Sequence, residues 1–380
     1  MKKTVKHHNG DELRYWLALT FIKDIGPVTC KRLLSAFGSP QKIFEARLNE
    51  LNDIEDIGES RAEKILKFNS WNRVEKEIRA INLKNIRILK YTDKEYPVPL
   101  RQIDDSPVIL YTKGNFIEED KYAIAIVGSR RMTDYGRKVA ETIAFEIASR
   151  GLTVISGMAR GIDTSSHKGA LKAGGRSIAV LGCGIDRPYP PENVKLLESL
   201  SDSGCVISEF PIGTPPNKEN FPRRNRLISG LSMGVLVVEA TDNSGSLITA
   251  QYALEQGKEV FAVPGNIISK NSEGTNNLIK NGAKLVQKTD DILEELSPVL
   301  KDILKSDKNF PERNFPLNID RLEITDEEKA ICKIIGNDSK HIDIIARESG
   351  MSPAELSGIL LNLEMKGIIK QIEGKRFCMS

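Results

Sequence analysis

Apolar positions in the middle of the chain gather into short, almost unbroken runs: YAIAIVG at 122–128, LTVISG at 152–157, SIAVLG at 177–182, CVISEF at 205–210, GVLVVEA at 234–240, EVFAVPG at 259–265 and AKLV at 283–286. Runs without polar alternation belong to strands buried on both faces. Stretches with helical spacing separate them, at 135–150, 164–173, 191–200, 223–231, 247–256 and 275–281. The alternation predicts an α/β domain built on an extended Rossmann-like, doubly wound, mostly parallel sheet. Nearly every run ends in glycine or a small polar residue, and those ends line the crevice where such sheets bind ligands.

The flanks follow other patterns. Residues 1–84 form a helical domain with an internal repeat: Ile25-Gly26 and Ile57-Gly58 stand thirty-two positions apart, each ahead of a helical stretch. Glycine turns between helices let backbone amides approach a phosphate, as in a helix-hairpin-helix or SAM-like module; the same pattern also suits a small bundle with glycine caps. Asp53, Glu55, Asp56 and Glu59 disfavour an anion at the second turn, so the first, with Lys23, Lys31 and Arg32, is the better candidate. Extended pieces at 86–91 and 107–114 read as a connector into the sheet domain, 85–296. Residues 297–321 lack sustained periodicity and read as a linker. Three helical stretches and an expected two-residue hairpin at Glu373-Gly374 make 322–380 a winged helix. Its third helix carries little positive charge, so protein contact competes with duplex reading.

Composition narrows the class. The 380 residues suit two or three domains, and 40% hydrophobic with 28% charged residues describes a globular protein. A net charge of +3 leaves any nucleic-acid affinity to a local patch. Five scattered cysteines argue against a disulfide framework or a zinc site and fit a reduced cytoplasm. The basic start MKKTVKHHNG leads into no signal-type apolar run, and no stretch reaches a membrane span.

The densest candidate chemistry lies in FPRRNRLISGL. Pro222 fits a first helical turn, and Arg223, Arg224, Asn225 and Arg226 follow it, giving free N–H groups beside guanidinium forks as for phosphate. Lys218 and Phe221 supply a cation and a ring, the two elements of single-strand binding, while Phe221 equally suits a hydrophobic staple on the following helix. Gly128-Ser129-Arg130 follows the first strand run, where glycine permits close approach and Arg130 pairs with phosphate. Gly157 and Gly161 end the second run, as ligand loop or plain strand-to-helix turn, with Asp163 expected as helix N-cap. Ser244, Gly245 and Ser246 open another helix and offer hydroxyl and amide donors. His167 is a proton shuttle or a satisfied structural histidine. The dinucleotide fingerprint is absent, since Gly182-Cys183-Gly184 runs into Ile185, Asp186 and Arg187, and so is a Walker loop.

The blocks IVGSRRMTDYG, ISGMARGIDTSSHKGAL, GGRSIAVLGCGIDRPYPPEN, FPRRNRLISGLSMGVLVVEA and SGSLITAQYALEQGKEVFAVPG together resemble the DNA processing protein A (DprA/Smf) family of bacterial natural transformation. The resemblance is dense over 96–296; Asp105-Ser106 departs from the family's usual Asp-Pro. It implies a cytoplasmic, non-enzymatic, homodimeric single-stranded DNA binder without a cofactor, which protects incoming DNA and lets RecA load despite single-strand-binding protein. It places the DNA pocket on Ser129, Arg130, Lys218, Phe221, Arg223, Arg224, Asn225 and Arg226. A competing class is a phosphoribohydrolase-like enzyme using the same pocket with Asp163 and Glu239. A third is a transcriptional regulator acting through the winged helix.

Overall fold

The computed structural model describes residues 10–306, 324–336, 340–372 and 374–379. The basic start, residues 307–321 of the expected linker and Glu373 of the expected hairpin turn lie outside them.

The apolar runs become strands of one nine-stranded sheet in the order β1-β2-β6-β5-β4-β3-β7-β8-β9. These are β1 (Arg87–Lys90), β2 (Ile109–Gly114), β3 (Ala123–Val127), β4 (Thr153–Ser156), β5 (Ser177–Leu181), β6 (Cys205–Ser208), β7 (Gly234–Val237), β8 (Glu259–Ala262) and β9 (Lys284–Leu285). From β6 to β9 all neighbours are parallel. Every residue of β3, β4, β5, β6 and β7 is buried, which is why these strands lack alternation. From β3 the chain winds outward through β4, β5 and β6, then crosses back to β7 on the other side. That reversal makes the carboxyl ends of β3 and β7 the switch point, where the diverging connections leave a crevice.

The expected connector is part of the sheet. β1 and β2 pair antiparallel with each other, and β2 pairs antiparallel with β6. Antiparallel strands need no crossover helix, so these short pieces extend the edge without the helical spacing that marks the parallel units.

The helical domain packs against this edge. Gly26 and Gly58 precede the helices Pro27–Phe37 and Glu59–Leu66 as N-caps, so they are not the C-caps of a plain bundle. The repeated turns put Asp24 and Asp56 in the left-handed region, at φ 65° and 62°. Lys64 pairs with Asp24 at 2.6 Å, and Arg32 pairs with Asp56, each cation coming from the other repeat. Lys31 donates to the Ile103 carbonyl at 3.2 Å. Two of the three cations expected at the first turn are therefore engaged by protein. Across the junction Glu77, buried on the helix Trp71–Leu83, accepts from the Tyr111 hydroxyl and the Ile212 N–H, both at 2.8 Å.

At the other end the helix Thr289–Ser306 runs ten residues into the expected linker despite Pro298. Ile292 and Leu296, one turn apart and buried, root its first half. The winged helix comprises the helices Asp326–Ile335, Ile342–Ser349 and Pro353–Met365 with β10 (Lys340–His341), β11 (Ile369–Ile372) and β12 (Arg376–Met379). Ile372 pairs with Arg376, so three residues close the hairpin where two were expected. Among the described residues no helix is long and apolar enough to cross a membrane.

Replacing Glu77 by alanine leaves the buried Tyr111 hydroxyl and the Ile212 N–H without their acceptor. A loss of about 1–3 kcal/mol in denaturant unfolding is expected, and a smaller one for Glu77→Gln, which keeps an acceptor oxygen.

Candidate functional site

A cleft of about 680 Å³ opens over the carboxyl ends of β3 and β7. Gly128, Ser129, Arg130 and Arg131 form one wall after β3; Thr241, Ser244, Gly245 and Ser246 form the facing wall after β7. The helix Asn220–Leu231 contributes Phe221, Pro222, Arg224, Asn225 and Ile228, and Lys218 stands just before it. Among the described residues five cations, Arg130, Arg131, Lys218, Arg224 and Lys270, line it with one carboxylate, that of Asp163.

Backbone approach shapes the first wall. The Ser129 N–H donates to the Glu239 carbonyl at 2.7 Å, and the Ser129 carbonyl accepts from Ile162 N–H. Gly161 lies against this loop at φ 78°, where an added Cβ would fall 2.1 Å from the Ser129 oxygen. Its glycine is thus demanded by strand-to-helix packing. The Ser129 hydroxyl accepts from the Arg131 N–H at 3.1 Å. The exposed side chains of Arg130 and Arg131 project from the loop so held. On the opposite wall Ser244 and Ser246 share a hydroxyl hydrogen bond of 2.7 Å, and Asn225 donates to the Gly245 carbonyl at 3.1 Å.

The arginine cluster divides in two. Arg224 is 3% exposed; it donates to the Val180 carbonyl at 2.7 Å and lies flat on Gly157, where an added Cβ would meet its guanidinium at 1.8 Å. Burial brings its pKa down to about 10, with Asp163 opposing, so it stays charged at neutral pH. Arg226 is turned away from the cleft, ion-paired with Glu209 and with Asp105 at 3.1 Å. Arg223 is exposed and packs over Phe210. The expectation of guanidinium forks presented to a ligand is corrected for Arg226, whose ion pairs occupy it, while Arg224 stays at the cleft and Arg223 is exposed outside its lining. The helix has one face in the core, and Arg224 and Arg226 are drawn in by Val180 and Glu209.

Of the expected site residues, the structure brings together Gly128, Ser129, Arg130, Lys218, Phe221, Arg224, Asn225, Ser244, Gly245 and Ser246 along the cleft. Arg223 and Arg226 lie outside its lining, Gly157 sits beneath Arg224, and Gly161 supports the Ser129 loop. Sequence reasoning missed Arg131, Thr241, Lys270 and Asn271. The last two open the helix after β8, and only the strand order shows that β8 lies beside β7.

Asp163 is not an N-cap. Gly161 caps the helix Ile162–Lys172, while Asp163, inside its first turn, accepts from the Ala159 N–H at 3.3 Å. Burial raises its pKa, opposed chiefly by Arg224. Glu239 lies outside the cleft lining and accepts from the N–H and hydroxyl of Thr133, at the head of the helix Asp134–Ser149. His167 is fully buried with Nδ1 2.7 Å from the Ser177 hydroxyl; burial and then Arg224 push its pKa down to about 3, which keeps it neutral.

The family model described as DNA recombination-mediator protein A matches residues 87–297 of this geometry. The chain belongs to the DNA recombination-mediator protein A family. Two further models match its flanks: a DprA winged helix domain over 320–375 and a SAM-like helix-hairpin-helix tandem over 17–68. Among family members, Protein Smf of Synechocystis is 33% identical, with 97% of this chain and 99% of that protein aligned. The crystal structure of DNA processing protein A from Streptococcus pneumoniae superposes with a TM-score of 0.63 at 35% identity, covering 74% of this chain and 97% of that one. A structure describing the unique single-stranded DNA binding mode of the Helicobacter pylori family member superposes with a TM-score of 0.51 at 30% identity, covering 57% and 96%.

A Gly157→Ala substitution puts a methyl group where Arg224 lies. It is expected to lower stability by about 1–3 kcal/mol in thermal unfolding, because the buried guanidinium must leave Val180.

Proposed function

We propose that this protein binds single-stranded DNA across the strand-end cleft and positions it without breaking bonds. The observation that carries this reading is the pairing of exposed Arg130 and Lys218 with the half-buried Phe221 ring in one cleft. Cations neutralise the phosphodiester backbone, and an aromatic ring stacks on a base that only an unpaired strand offers. The single-stranded DNA binding mode of the Helicobacter pylori relative supports the same ligand class. Arg131 and Lys270 extend the cationic lining, and Arg224 adds its charge from below.

The phosphoribohydrolase-like alternative is disfavoured by geometry. Among the described residues Asp163 is the one carboxylate lining the cleft, and Glu239 is engaged by Thr133. In the wider role, the bound strand is protected in the cytoplasm, and RecA is allowed to load on it despite single-strand-binding protein. That role is supported by the resemblance to the family and is part of the proposal. So is the homodimer, which Ile267 and Ile268 support: at 88% and 87% exposure they are the most exposed large aliphatic residues of the sheet domain. In sedimentation velocity, Ile268→Glu is expected to shift a dimer toward monomer.

Fluorescence anisotropy of labelled oligo-dT and a matched duplex across a salt series tests the ligand. Single strands should bind more tightly, and Arg130→Ala should lower both the affinity and the slope of log K against log salt, the slope by about 0.7. Equal duplex binding, with no effect of Arg130→Ala, would move the site elsewhere.

A further inference from the structure

The Phe221 ring is not bare. Gly182 lies so close on one side that an added Cβ would be 2.9 Å from Cδ1, and Tyr189 packs at 5.8 Å between centroids. The Arg130 guanidinium lies over the ring at 4.8 Å, where it is attracted by the ring's electron-rich face. Arg224, at 5.9 Å from the ring centre, is held by its bond to Val180. Arg130 has no such anchor: it is exposed, and its side chain makes no hydrogen bond or ion pair among the described residues. The group best suited to a phosphate therefore occupies the surface best suited to a base.

We infer that Arg130 is a specificity-determining residue of this cleft: its guanidinium covers Phe221 in the free protein and uncovers it when a phosphate draws the guanidinium away. The inference rests on the single-strand reading above and deepens it. A charge-assisted, bidentate contact with phosphate is stronger than an exposed cation–ring contact, so a phosphodiester strand moves Arg130 at a net gain. A base without a phosphate must displace the cation uncompensated. The site then selects ligands that carry base and phosphate together, and capture of the backbone precedes stacking.

Release of a contact on binding has a defined sign in a double-mutant cycle. Each single variant, Arg130→Ala or Phe221→Leu, loses its own contact with DNA but also removes the free-state contact that opposed binding. The double variant recovers that opposing contact only once. With oligo-dT and the full chain at fixed salt, the double variant should therefore lose about 2- to 5-fold more affinity than the product of the two single losses. Phe221→Leu keeps an apolar side chain against Tyr189 while removing the ring, and thermal melts of all variants check folding. A double loss equal to or below the product overturns the inference, because Arg130 and Phe221 would then be independent or remain together in the complex. If single variants that fold do not weaken binding at all, the cleft reading itself fails, and the inference fails with it.

Discussion

The buried guanidinium of Arg224 is the constraint around which the cleft is built. A charge taken out of water is costly unless polar groups meet it, and here the Val180 carbonyl at the end of β5 and the field of Asp163 do so. The guanidinium plane needs a flat seat, and Gly157 provides it. These contacts join the helix Asn220–Leu231 to the ends of two strands and so fix where Phe221, Pro222 and Asn225 stand at the cleft. Arg226 performs a parallel task one half-turn on, tying the same helix to Glu209 and Asp105. Two charges that stand out in the sequence thus also hold this wall of the cleft in place.

The parallel part of the sheet was legible because burial on both faces leaves an uninterrupted apolar run, and such a run has few other uses in a globular chain. The antiparallel β1 and β2 were legible as strands but not as sheet members, since nothing in a four- or six-residue run names its neighbour. The same limit hid Lys270 and Asn271, whose place depends on β8 lying beside β7. Arg224 is a different case. It stands three and four residues before Leu227 and Ile228, on the buried stripe of its own helix, and helical spacing applied to the charged residues as well as the apolar ones places it inside. For this cluster helical periodicity is a better guide to position than charge.

The helical domain shows charge compensation of another kind. Both repeated turns carry an aspartate at positive φ, and each aspartate meets a cation from the equivalent position of the other repeat. The pairs are partly exposed, so each contributes little to stability. Their effect is on the surface they present: cations that would otherwise offer the turns to an anion are already neutralised across the pseudo-symmetric pair. Glu77, by contrast, is buried and bridges a strand and a loop, which fixes the domain as a buttress of the sheet edge.

Net charge and local field therefore separate cleanly. A chain of 380 residues with a net charge of +3 has little long-range pull on DNA. In the cleft, low-dielectric walls bring five cations against one carboxylate among the described residues. The field is concentrated where strand ends already leave a crevice, and the apolar ring of Phe221 stands within it. A duplex would satisfy the cations through its backbone but keep its base faces stacked. A free base would reach the ring but not the cations, and would find Arg130 in its place. On the single-strand reading proposed above, a flexible unpaired strand meets both demands.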